Sequence, residues 1–222
     1  MNTRVLFGLL APVCFAAACA STNMTSMLSP EARGKTYTRI LVVADLQDLG
    51  LMQAAEIAMQ RMAADKVAAA TVVNCDSAGV CSAPGALAPG TEFIPAHTLL
   101  FPGREFTPEE LARILSEHRI QATLVLSPTA SGVSETYVPP TYVTQCATWR
   151  STTSCSSNAV GGGTITRPWV SFAARMYDAR TGATVWIATS STNGSAMSGS
   201  ATLIQSMAAK TLANLIADQV VR

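Results

Sequence analysis

Apolar positions recur along the chain with two periods, and the switches between them predict its elements. "RILVVAD", Arg39 to Asp45, is a nearly continuous apolar run of the kind found in a strand covered on both faces. In the following "LQDLGLMQAAEIAMQRMAADK", Asp48 can cap a helix, and Leu51, Ala55, Ala58 and Met62 return at helical spacing. "AAATVVNC", ending at Cys75, reads as a second strand, which makes a βαβ unit or a split variant of it. A Gly/Pro loop follows, and "EFIPAHTLLFPGREF" fits either extended or irregular chain. "FTPEELARILSEHRIQ" carries the clearest local signal. Thr107 is the N-cap, Pro108 the first helical residue, and Glu110 completes a capping box, with Leu111, Ile114, Leu115 and His118 on one face.

"QATLVLSP", Gln121 to Pro128, is the next buried strand. Between Ser131 and Arg167 the chain becomes rich in Ser, Thr and Gly and contains Pro139-Pro140, which are excluded from a central strand, so one irregular excursion flanked by extended edges is expected there. "PWVSFAARMYDARTGATVWIATS" reads as a β-hairpin. Val170, Phe172, Ala174 and Met176 share a face, Val185 and Ile187 recur at period two, and Gly182 suits the left-handed turn position. A terminal helix presents Leu203, Met207, Ala208, Leu212, Leu215 and Ile216 as its core stripe. These patterns predict an α/β (α+β) fold: a single mixed-sheet domain, with about three helices on about five strands and a C-terminal helix.

The first residues read differently. One positive charge at Arg4 precedes an uncharged run from Val5 to Ala20 that is shorter than the about 20 residues of a membrane span and is interrupted by Pro12. Residues 1–18 therefore read as a signal peptide. Two cleavage readings are open. Ala16-Ala17-Ala18-Cys19 resembles a bacterial lipobox, with Ala16 where Leu is commonest, and would make Cys19 the lipidated first residue; an ordinary A-x-A site would leave Cys19 unmodified. The small polar "ASTNMTS" favours the lipobox. Residues 19–36 then form a lipidated tether spanning roughly 20 to 25 Å, with the domain at 37–222 and the excursion at 131–167. Ala20, in place of Asp, resembles the sorting signal for the outer membrane, which places the protein on the periplasmic face.

Charge and cysteine content narrow the partners. The 15 Lys and Arg residues face 14 Asp and Glu, and loss of Arg4 on processing leaves balance, which favours neither nucleic acid nor a strongly anionic surface. Cys75, Cys81, Cys146 and Cys155 remain for the folded chain. Three disulfide connectivities are open in an oxidising compartment, and the local pairs Cys75 with Cys81 and Cys146 with Cys155 are expected. Their spacings and the distance of His97 and His118 argue against zinc, and no C-x-x-C exists for redox work.

Candidate chemistry is sparse. Triple glycine Gly161–Gly163 is followed by a strand pattern where a phosphate cradle needs a helix. "GVSET" lacks the second glycine of a nucleophile elbow, which makes Ser134 a loop serine. Glu109 and Glu110 suit the first turn of a helix, and Asp45 a strand-end cap or turn. No enzyme activity, cofactor or metal is expected. Tyr137, Tyr142, Trp149 and Trp169 cluster in or beside the excursion and offer either a binding surface or anchors for the loop.

Taken with the lipobox-like start, "RILVVADLQDLGLMQAAEIAMQRMAADKV", "RMYDARTGATVWIATS" and the terminal helix resemble bacterial lipoproteins with a domain similar to the curli-secretion channel lipoprotein (CsgG) and the amino-terminal domain of TolB. The hairpin form D-x-x-T-G-x-x-x-W, Asp178 to Trp186, carries the resemblance. It implies a membrane-anchored scaffold or accessory protein with an envelope protein partner, in envelope biogenesis, surface assembly or export. Two further readings stay open: a small-ligand or glycan-binding module, and a subunit of a homo-oligomeric secretion pore.

Overall fold

A computed structural model describes residues 20–71 and 87–221. Cys19, Cys75 and Cys81, with the lipid and first-disulfide expectations that rest on them, lie outside the described residues. In chain order the elements are β1 (Ala20–Leu28), β2 (Arg39–Ala44), α1 (Leu49–Thr71), β3 (Glu92–Pro95), α2 (Pro108–Glu117), β4 (Ala122–Val138), β5 (Thr141–Trp149), β6 (Thr152–Val160), β7 (Gly163–Asp178), β8 (Thr184–Gly194) and α3 (Ser200–Ala217). Six strands form one sheet in the order β1-β8-β7-β4-β2-β3, and β5 pairs with β6 separately. β2 runs parallel to β3 and β4, and every other pairing between these strands is antiparallel. The α+β expectation, with three helices on a mixed sheet and a helix at the C-terminal end, is what the structure shows. No described helix is long and apolar enough to cross a membrane.

The core lies between the sheet and helices α1 and α3. Ile40, Val42, Leu124, Leu126, Phe172, Met176 and Trp186 meet Met59, Met207, Leu212 and Leu215 there. α3 buries the predicted stripe, with Ile216 only partly covered. α1 is rotated from its predicted face: Ala55, Met59 and Ala63 are buried, while Leu51, Ala58 and Met62 are half-buried. On the opposite face a smaller cluster of Leu41, Ala96 and Ile120, joined by Leu115 of α2, covers the parallel strands. α2 has the predicted capping box: Glu110 N donates to Thr107 Oγ1 and Thr107 N donates to Glu110 Oε2, each at 3.2 Å.

Four further sequence expectations change. Residues 68–71, read as the start of a strand, are the last turn of α1, since the run of alanines has the highest helix propensity; the rest of that reading, 72–75, lies outside the described residues. The next described strand is β3. Residues 20–28, read as tether, form an edge strand. Its inward side chains Thr22 and Ser26 are polar and are satisfied by Thr192, Ser206 and Asp218, which hides the period-two pattern. In β8 a register shift beside Tyr177 places both Val185 and Trp186 inside, so Ile187 turns outward at 42% exposure. The fourth change is the excursion.

Candidate functional site

β4 and β7 remain paired long after the sheet's core has ended. Their register runs from Ala122 with Asp178 to Val138 with Gly163, and shifts between Pro128 and Ala130. Beyond this bulge the cover from the helices thins: β4 is exposed from Pro128 onward, while Pro168 to Ser171 of β7 stay half-buried. β5 and β6 continue as a nine-residue pair exposed on both faces, closed at Trp149 and Thr152 with Arg150 at a positive φ of 56°. The excursion expected as irregular is therefore a β-ribbon. At about 3.3 Å per residue, β5 alone contributes about 30 Å to its reach.

Local sequence explains the ribbon's joints. Pro139 and Pro140 lack the N–H needed to continue β4. Gly162, across the joint, has φ 86°, and a Cβ there would stand 2.8 Å from Pro140 N, so only glycine fits. At the root, Gly132 opposes Trp169, and the indole ring covers the glycine so closely that a Cβ would lie 3.0 Å from it. Near the tip Cys146 and Cys155 face each other across the strands and are joined by a disulfide, with Cα atoms 4.0 Å apart.

The predicted aromatics sit on this ribbon without converging. Tyr137 (68% exposed), Tyr142 (70%) and Trp149 (79%) are open to solvent along its length, whereas Trp169 is half-buried at the root. Val133, Val143 and Val160 are exposed beside them. Charge is almost absent between residues 131 and 167, where only Glu135, Arg150 and Arg167 carry it. Such a surface offers apolar and hydroxyl contacts over a long, narrow face. Trp169 also lines a groove of about 530 Å³ at the root, with Asp48, Leu51, Pro128, Val133 and Leu203.

Residues weighed for catalysis are placed apart. Ser134 Oγ donates to the Arg167 carbonyl across the ribbon at 3.4 Å, with neither histidine beside it. His118 is the C-cap of α2. Asp45 accepts from Ser127 Oγ at 3.4 Å. His97 meets Glu56, a residue the sequence reading passed over. Glu56 is 1% exposed; its Oε1 accepts from Ala44 N at 3.1 Å, and its Oε2 from His97 N at 3.0 Å, with His97 Nδ1 2.6 Å away. Both oxygens are thus consumed in holding the ends of β2 and β3 to α1. No group of three or more His, Cys, Asp or Glu among the described residues could hold a metal ion.

The D-x-x-T-G-x-x-x-W hairpin is a lock of the fold. Asp178 Oδ1 accepts from Arg180 N and Thr181 N at 3.0 Å each, and its Oδ2 accepts from Tyr37 Oη at 3.1 Å. Gly182 closes the turn with φ 69°. Trp186 donates from Nε1 to Asp218 at 2.7 Å, and Ser26 donates to the same carboxylate oxygen, which ties α3 to β8 and β1. Burial pushes the Asp178 carboxyl up, but the hydrogen bonds from Thr181, Tyr37 and Arg180 outweigh it and hold the group below its usual range. Tyr37 moves the other way, to about 12, through burial and then through its bond to the Asp178 carboxylate and the charge there.

No protein-family profile matches the chain, and no curated relative does. Among solved structures it is similar to the PelC dodecamer from Paraburkholderia phytofirmans, at 13% identity and a TM-score of 0.47, covering 90% of this chain and 99% of that one. It is also similar to lipoprotein GNA1162 from Neisseria meningitidis, at 18% identity and a TM-score of 0.36, covering 82% of this chain and 99% of that one. Neither is a curli-secretion lipoprotein or a TolB domain, so that expectation stands only as an α+β architecture. Likeness at this level assigns neither activity nor assembly.

Proposed function

We propose that this chain is a lipid-anchored protein of the bacterial envelope, held through Cys19 on the periplasmic face of the outer membrane, and that it acts through protein contacts made by its ribbon. The process is envelope biogenesis, surface assembly or export, and the protein itself performs no catalysis. One observation carries the reading: a ribbon exposed on both faces, nearly uncharged, braced by the Cys146–Cys155 disulfide and displaying Tyr137, Tyr142 and Trp149. A two-stranded ribbon has little stability of its own in water, and large aromatics held in the open suit a surface that a partner covers. The test is recovery of envelope proteins on the detergent-extracted chain. Trp149→Ala with Tyr142→Ala is expected to lose a specific co-purifying protein without changing the thermal midpoint, and unchanged recovery would overturn the reading.

The groove beside Trp169 favours a second reading, a small-ligand or glycan-binding module. Titration with envelope glycans, read by fluorescence of the Trp149→Phe variant, is expected to saturate under that reading. An unresponsive signal removes it. A pore-forming subunit is less well supported, because neither face of β5–β6 is apolar throughout. Tyr142, Thr144, Cys146 and Thr148 share one face, and Thr141, Val143, Gln145, Ala147 and Trp149 the other, whereas a barrel wall needs alternation that leaves one side apolar.

A further inference from the structure

The six-stranded sheet has two edges, and they are built in opposite ways. β3 is four residues long, begins at Glu92, which pairs with Arg39 at 2.6 Å, and ends at Pro95. A short strand with charge and proline is the usual protection against a further strand. β1 has none of these devices. It is nine residues long, its sequence Ala20–Leu28 holds no charge and no proline, and it pairs without a register shift to β8 along its whole length. No strand of the described residues pairs with its other side. The ribbon's edges differ again, because two-stranded ribbons twist more strongly and make poor flat templates.

From this asymmetry we infer that β1 is a self-association edge, on which a second copy of this chain adds its own β1 antiparallel to continue the sheet. The occupant follows from the strand's pattern. Reversal about Met24 sets Thr22 opposite Ser26, Asn23 opposite Thr25 and Met24 opposite itself. In the central pairs hydroxyl faces hydroxyl and small polar faces small polar, the end pairs set Ser21 against Met27 and Ala20 against Leu28, and no charge is buried. A two-fold contact requires such self-complementarity, and an unrelated peptide would not. Asn23, Thr25 and Met27 lie on the sheet face away from α3 and are exposed, so nothing described blocks the approach.

The test uses the full chain extracted in detergent, with mass measured by light scattering across a concentration series. The wild type is expected to be dimeric. Asn23→Lys with Thr25→Lys places like charges opposite each other twice and is expected to weaken self-association about tenfold or more. Asn23→Lys with Thr25→Glu places opposite charges at the same two contacts and is expected to restore it. Since both positions are exposed, far-ultraviolet circular dichroism is expected to be unchanged in all three proteins. Met24→Cys is expected to form a reducible dimer on oxidation, because opposed Cα atoms about 4.5 to 5.5 Å apart fall within disulfide reach. A monomer at every concentration, or a dimer indifferent to both double variants, overturns the inference.

Discussion

At the scale of single residues, three buried polar side chains, Glu56, Tyr37 and Asp178, set the conditions under which the domain holds together. Glu56 accepts from Ala44 N and His97 N, so Glu56→Leu leaves two donors without an acceptor. The expected loss is about 1 to 3 kcal/mol, with a smaller loss for Glu56→Gln, which keeps one acceptor oxygen. Urea unfolding of the three proteins measures it. Tyr37 and Asp178 give the domain two pH limbs. The raised Tyr37 contributes stability that is fully present below its ordinary value of 10.0 and is lost as pH rises through about 12. The lowered Asp178 contributes stability present above its ordinary 3.8 and lost as pH falls through its folded value. Tyr37→Phe is expected to remove the alkaline limb and to shallow the acid one, read as thermal midpoint against pH. Sequence patterning revealed half of this. Asp178 and Gly182 are legible as a turn by residue type, but Glu56 sits on a helix where its neighbours give no sign that it points inward. Burial of a charged side chain is a tertiary fact, set here by the strand ends that α1 happens to cover.

At the scale of elements, the strands that went unread share one physical reason. Period-two alternation marks a strand with one dry face, and the ribbon has none. Its Thr, Val, Tyr and Trp residues suit extended chain, but Ser and Gly between them read as loop. β1 is hidden for a related reason, since Thr22 and Ser26 point inward as hydroxyls. The capping box of α2 and the stripe of α3 were legible because they depend on local spacing alone. The ribbon also predicts its own mechanics. Cys146→Ser with Cys155→Ser removes a brace from strands that lean on no helix, so protease cleavage between Thr141 and Val160 is expected to rise several-fold. The thermal midpoint of the domain is expected to stay within about 2 °C, because local and global opening are separate events. A fall of the midpoint in step with cleavage would show that the ribbon is integral to the core.

At the scale of the whole molecule, the first residue of β1 and the ribbon root share one end of the sheet. Ala20, the residue after Cys19, pairs with Gly194, and Trp169 of the ribbon root pairs with neighbouring Asn193. Because β1 starts at Ala20, the free tether expected from the sequence is replaced by a strand built into the domain. A lipid on Cys19 would therefore hold the ribbon root close to the membrane and fix the direction in which the aromatics are presented. The central claim is that those aromatics meet a protein partner, and site-specific photo-cross-linking in living cells tests it most directly. With the cross-linker in place of Trp149 or Tyr142, one discrete adduct with an envelope protein is expected, while the same group in place of Arg113 on α2 gives none. Adducts absent from both ribbon positions, or equally abundant from Arg113, would contradict the account.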